Sequence, residues 1–229
     1  MVALVPQENM VALVSRTGRH MQRYSKGRRQ VVGCIPYRYK TSKQTPSKHD
    51  APELEVLVIT SQKGKGLLFP KGGWEIDESK EGAASRETLE EAGVRGLIEG
   101  ELGKWIFKSK SHDAYYDGYM FPLLVQEQLD FWPEKNLRRR IWMSAQEARE
   151  VCQHWWMKEA LDGLVNRLTS QQQNQDQELD HVLKARRENL MASMASYCLL
   201  GHYKLILQIF LQQVDDNLAL LNSKPQQHF

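Results

Sequence analysis

Between Gly72 and Val94 the chain reads GGWEIDESKEGAASRETLEEAGV, a stretch that constrains the fold more than any other. It reads as a short helix with both ends specified. Asp77 and Ser79 are both candidate N-caps, Glu78 suits the positive N-terminal end, and Gly93 can take the left-handed conformation that stops a helix. At about 100° per residue, Glu87, Glu90 and Glu91 fall within about 100° of arc. Ala84, Thr88 and Ala92 form a small-residue stripe beside them, where the helix can pack closely. Arg86 stands one turn before Glu90 and two turns after Glu78, in reach of either. The Gly72-Gly73 pair reads as a turn of unusual φ, as a close approach of backbone to a neighbour, or as both.

A solvated helix laced with ion pairs would carry Lys or Arg among the acids of this arc, and none is present. Three like charges so close repel unless a cation lies between them. Carboxylate oxygens suit hard divalent ions, and such ions suit the chemistry of phosphate esters and anhydrides.

The stretch resembles the Nudix box: Gly, five residues, Glu, seven residues, then Arg-Glu-aliphatic-any-Glu-Glu-any-Gly-aliphatic. Here the pattern is carried by Gly72, Glu78, Arg86, Glu87, Leu89, Glu90, Glu91, Gly93 and Val94, with Thr88 in place of an aliphatic residue. The resemblance implies an α/β/α sandwich with a mixed sheet, and a Mg²⁺- or Mn²⁺-dependent hydrolase of phosphoanhydrides. It implies that Glu87 and Glu91 bind metal together with the backbone carbonyl of Lys71. Glu90 becomes the expected base, and Arg86 with Glu78 the support of helix and loop. Gly72, Gly73 and Gly93 complete that support.

The rest of the chain is consistent with a soluble globular protein. Its 229 residues are 41% apolar and 26% charged, enough for one domain of about 150 residues plus extensions. Cys34, Cys152 and Cys198 suggest neither a disulfide frame nor a zinc site. Net charge is only +3, yet no acid occurs from Asn9 to His49. Such a basic run suits a nucleic-acid arm, a transit segment or a phosphate-binding wall.

Strands are expected over Val31–Tyr39, with Pro36 marking an edge or bulge, and over Leu54–Ser61, Trp105–Lys110, Tyr119–Gln126 and Arg140–Met143. Ser144 is expected to cap a helix to Cys152, and Trp155–Leu168 to form another. Strands with a few helices imply a mixed sheet covered by helices, an α/β or α+β sandwich. The expected organisation is an N-terminal extension 1–14, a Nudix domain 15–168, a Gln-rich linker 169–180 and a helical C-terminal extension 181–229. Apolar residues from Leu199 to Leu221 recur at helical spacing, so that extension is expected to dock on the domain or to self-associate. His202, Lys204 and Gln208 argue against a membrane span there.

Beyond the box, stretches such as RTGRHMQRYSKGRRQ, DGYMFPLL and WPEKNLRRRIW are similar to the plant diphosphoinositol polyphosphate and diadenosine polyphosphate phosphohydrolase branch. The resemblance places Arg23, Arg29, Ser61, Gln62 and Arg138 at substrate contacts. Arginines before two strands suit phosphate independently of it. The expected partner is a small anionic phosphate compound, not nucleic acid. Alternatives are hydrolysis of RNA caps or other nucleoside diphosphate derivatives, and a phosphate sensor without turnover. The expected location is cytoplasmic, with mitochondria as the alternative.

Overall fold

The computed structural model describes residues 14–16, 18–40, 53–62, 64, 66–109 and 113–199, with 208–209 and 212–213. The chain divides into two compact units, Met1–Asn166 and Arg167–Phe229.

The first unit is built on two long strands, β2 (Arg28–Lys40) and β8 (Tyr115–Gln128). They run parallel, in register from Arg29↔Tyr116 to Tyr37↔Leu124. Both read as nearly continuous apolar runs because both of their faces are covered. Every other ladder is antiparallel, which makes the nine-stranded sheet mixed.

Shorter strands share the edges of the long pair. β3 (Glu53–Thr60) joins the C-terminal half of β2, and β5 (Lys71–Gly73) joins its N-terminal half. β6 (Val94–Ile98) and β7 (Gly103–Lys108) divide β8 in the same way. β4 (Leu67–Leu68) and β9 (Arg140–Ser144) pair with β3, while β1 (Tyr24–Ser25) forms a hairpin with β2.

Pro36 therefore sits in a central strand, not at an edge or bulge. It faces Leu123 of β8. On the other side, Cys34 donates to the Pro70 carbonyl at 3.1 Å, and pairing with β3 begins only at Tyr37. Backbone groups alternate along a strand, so the missing Pro36 donor points into the gap between those two ladders.

Helix α1 (Lys80–Ala92) covers one face. Ala83 and Ala84 pack on Val32 and Cys34 of β2 and on Tyr119, Phe121 and Leu123 of β8. Ser79 is the N-cap, its side chain accepting from Gly82 N–H at 2.9 Å. Asp77, the other candidate, instead accepts from Arg16 at 3.1 Å. Thr88, the departure from the box pattern, is fully buried and donates its hydroxyl to Ala84 O at 2.8 Å. The polar group thus costs little, because its hydrogen bond is made within the helix.

Helix α2 (Ala145–Val151) starts at Ser144 with a complete capping box to Glu147. Helix α3 starts at Trp155, and its first turns bury Trp156, Met157, Ala160, Leu161 and Leu164. The Phe107 ring stacks on Trp156 with centroids 4.6 Å apart.

The expected end of this helix at Leu168 is wrong. α3 continues to Leu199, through the segment read as a Gln-rich linker. Its residues Gln, Glu, Lys, Arg and Leu are good helix formers, and no Gly or Pro interrupts them. Polar composition alone did not distinguish an exposed helix from a loop. Among the described residues no helix is long and apolar enough to cross a membrane. The apolar positions expected to support self-association lie, after Leu199, outside the described residues.

α1 ends at Gly93, whose φ is 63° and whose N–H donates to Leu89 O at 3.0 Å. A Cβ there would lie 2.6 Å from the Trp132 ring. Replacing Gly93 with Ala combines left-handed strain with this overlap, and is expected to destabilise the domain by about 2–4 kcal/mol in urea denaturation.

Candidate active site

The acidic face of α1 is held against β5 with no side chain between them. A Cβ on Gly72 would lie 2.0 Å from the Glu87 carboxyl carbon, and one on Gly73 would lie 2.1 Å from Gln22 Oε1. Neither glycine is among those with positive φ. The pair is therefore strand, not a strained turn, and close approach is its reason.

Arg86 ties this arrangement together. Its Nη2 and Nε donate to both oxygens of Glu78 at 2.8 and 3.0 Å. Nη2 also reaches the Gly73 carbonyl at 2.9 Å, and Nη1 reaches Glu87 at 2.9 Å and Glu90 at 3.4 Å. Glu78 in turn accepts from the Glu75 N–H at 3.1 Å. One guanidinium thus joins β5, the loop after it and two acids of the helix, as a planar fork of five donors can.

Glu91 has a second arginine. Its Oε2 accepts from the Lys71 N–H at 2.8 Å, and its Oε1 pairs with Arg138 Nη2. Arg138 also donates to Glu134 at 2.5 Å and to the Thr60 carbonyl at 3.1 Å. The three acids therefore do have interleaved cations. The sequence hid them because Arg138 lies 47 residues from Glu91, and because Arg86 reaches round the helix.

Glu87, Glu90 and Glu91 face one cavity of about 630 Å³ together with Lys71 and Gly72. Arg29 and Gln62 also line it. Arg29 donates to Gln22 Oε1 at 2.7 Å and lies 5.8 Å from the Tyr116 ring centroid. Arg138 lines the cavity too, but as a buried counter-ion of Glu91 and Glu134.

Arg23 and Ser61 are not in the cavity wall. Arg23 stacks over Trp74 at 4.3 Å and donates to the Ile76 carbonyl at 3.1 Å, so it braces the loop after β5. Ser61 closes the turn after β3, its N–H donating to Gly66 O at 2.8 Å. The sequence also missed wall residues: Glu134, Phe107 and Tyr116, and the pair His154 and Trp155 just before and at the start of α3. Glu134 alone carried a signal, its i,i+4 spacing to Arg138.

Burial dominates the electrostatics. It pushes the Glu91 carboxyl up to about 7, against the pull of Lys71 and Arg138 and with the repulsion of Glu87 added. Burial also raises Glu87 and Glu90, with Arg86 opposing it in both. A backbone hydrogen bond from Arg16 pulls Glu90 down, and Glu134 repels it. Carboxylates that raise one another's pKa in one cavity are a donor set suited to a hard divalent cation. Yet among the described residues no three acidic, His or Cys side chains converge closely enough to hold a metal as they stand. Arg86 and Arg138 between them pair with one oxygen of each of the three acids.

A NUDIX domain profile matches residues 28–164. The chain belongs to the Nudix hydrolase family. It is 65% identical over 163 residues to Nudix hydrolase 17, mitochondrial, of Arabidopsis thaliana, covering 71% of this chain and 88% of that one. It is also 65% identical over 160 residues to Nudix hydrolase 18, mitochondrial, of the same plant, covering 70% and 89%. A third relative, diphosphoinositol polyphosphate phosphohydrolase 3-alpha of Mus musculus, is 36% identical over 104 residues, 44% of this chain and 62% of that one. The chain is thus a phosphoanhydride hydrolase of a family that uses divalent metals.

Two measurements check this geometry. Gly72→Ala would force the Glu87 carboxylate off the β5 backbone, and turnover is expected to fall at least about 100-fold while the circular-dichroism spectrum is kept. For Glu91, a folded-state pKa near 7, above the ordinary 4.5, means that the metal-free native chain keeps a proton which the unfolded chain has lost. Its contribution to stability is full below about pH 4.5 and is lost as pH rises through 7. Relative to a Glu91→Gln variant, metal-free wild type is expected to lose on the order of 2–3 kcal/mol between pH 5 and 7.5, read by thermal melting.

Proposed function

We propose that this Nudix hydrolase cleaves the phosphoanhydride of a very anionic substrate, a diphosphoinositol polyphosphate or a diadenosine polyphosphate. The observation that carries the reading is the wall of the acidic cavity, which Arg16, Arg19, Arg29, Lys71 and Lys108 line together with the box carboxylates. The printed name of the mouse relative supports the inositol compound.

Glu87, Glu91 and the Lys71 backbone carbonyl would hold the Mg²⁺ or Mn²⁺. The ion, when bound, would neutralise phosphate oxygens and acidify the attacking water. Glu90 is the base that takes that water's proton. Its carboxyl is raised by burial and lies at the edge of the Arg86 cluster, which makes it a better proton acceptor than an ordinary carboxylate. Arg86 and Glu78 hold β5 and the helix in place, and Gly93 ends the helix. Arg29 and Gln62 orient the substrate.

A second reading has one observation in its favour. Phe107, Tyr116, Trp155 and Trp156 line the same cavity. Flat rings suit a nucleobase, so hydrolysis of another nucleoside diphosphate derivative or an RNA cap is the alternative. For location, the mitochondrial names of two relatives and the acid-free basic run support mitochondria, and nothing supports the cytoplasm directly.

Glu90→Gln is expected to lower phosphate release by about 10²–10⁴-fold with the melting temperature kept. A panel of inositol pyrophosphate, diadenosine polyphosphate, nucleotide sugar and capped RNA, run with Mg²⁺ and with Mn²⁺, is expected to show the highest kcat/KM on one of the first two. Preference for capped RNA or a nucleotide sugar would select the second reading.

A further inference from the structure

Both oxygens of Glu91 have partners within the protein. Oε2 holds the Lys71 N–H and Oε1 holds the Arg138 guanidinium. The side chains of Arg138 and Glu91 are each only 7% exposed, so water does little to screen the pair. Arg138 is not a loose charge. It also donates to Glu134 and to the Thr60 carbonyl. The result is a chain of Glu134, Arg138 and Glu91 in which one guanidinium is shared by two carboxylates.

We infer that Arg138 is a built-in competitor of the divalent cation, occupying the ion-pair position at Glu91 and thereby setting the metal affinity of the box. This rests on the reading that Glu87 and Glu91 hold the metal. A dication at Glu91 meets a fixed positive charge in a poorly screened site, and the two repel. Binding therefore requires Arg138 to yield Oε1. Glu134 makes this exchange feasible, because a guanidinium leaving Glu91 is still paired and not stranded in the interior. Glu134 acts through Arg138 and is a positioning residue. Arg138 sets the threshold at which the site loads.

The test is Mn²⁺ binding to the full chain without substrate, followed by electron paramagnetic resonance of the free ion. Wild type is expected to bind one Mn²⁺ at the box, and Glu87→Gln to lose it. Arg138→Gln is expected to bind Mn²⁺ about tenfold more tightly than wild type, since the competing charge is gone. A folded Arg138→Gln protein with unchanged or weaker Mn²⁺ affinity overturns the inference. If that variant does not fold, Glu134→Gln decides. It leaves Arg138 with Glu91 alone, so Mn²⁺ affinity is expected to fall several-fold, and an unchanged or higher affinity overturns the inference. If wild type takes up no Mn²⁺, or Glu87→Gln leaves uptake intact, the metal-site reading itself fails. If that control behaves and only the Arg138 and Glu134 variants disagree, the competitor role alone fails.

Discussion

The Arg86 guanidinium is the contact on which the site depends. It joins a strand carbonyl at Gly73, the loop carboxylate of Glu78 and the helix carboxylate of Glu87. Burial pulls this group down, yet Glu78 and Glu87 hold its pKa above the ordinary arginine range, so it stays charged. Without it, the half-buried Glu87 and the buried Glu90 would have no charge partner from their own helix. With it, the negative face of α1 is oriented and held against the sheet, as catalysis by positioning requires.

A second constraint is the parallel pair β2 and β8. Parallel strands need a crossover, and here it contains β3 to β7 and helix α1. The box lies in the middle of that crossover. β5 anchors its glycines to β2, and the last turn of α1 leads straight into β6 on β8. Anchoring at both ends fixes the helix on one face of the sheet, and the sheet then brings Arg29 of β2 beside Tyr116 of β8 at the cavity wall.

Much of this was legible locally. The helix, its stop at Gly93 and the cap at Ser144 are short-range signals, and the long strands announce themselves by apolar runs. The box pattern placed Glu87, Glu90 and Glu91 on one side of α1, and all three line one cavity. What the sequence could not reveal were contacts set by the tertiary fold. The pairing of Arg138 with Glu91 was hidden because an arginine before a strand looks the same whether it faces solvent or a buried glutamate. The stacking of Arg23 on Trp74 was hidden for the same reason, since it spans 51 residues. Pro36 was taken for an edge marker because a gap between two ladders is invisible in one strand's sequence. β6 escaped because its five residues, VRGLI, are brief and interrupted by glycine.

The missing side chain at Gly72 bears on how such an enzyme can change. The Glu87 carboxylate rests directly on hydrogen-bonded strand backbone, where there is no room even for a methyl group. Drift at this position is closed, and the acid cannot be shifted by small steps. The rim of the cavity is different: Gln62, Ser109 and Trp155 sit in connections or at a helix start. Lineages could therefore diverge in which phosphate compound they accept by altering the rim, while the chemistry beneath stays where the sheet has put it.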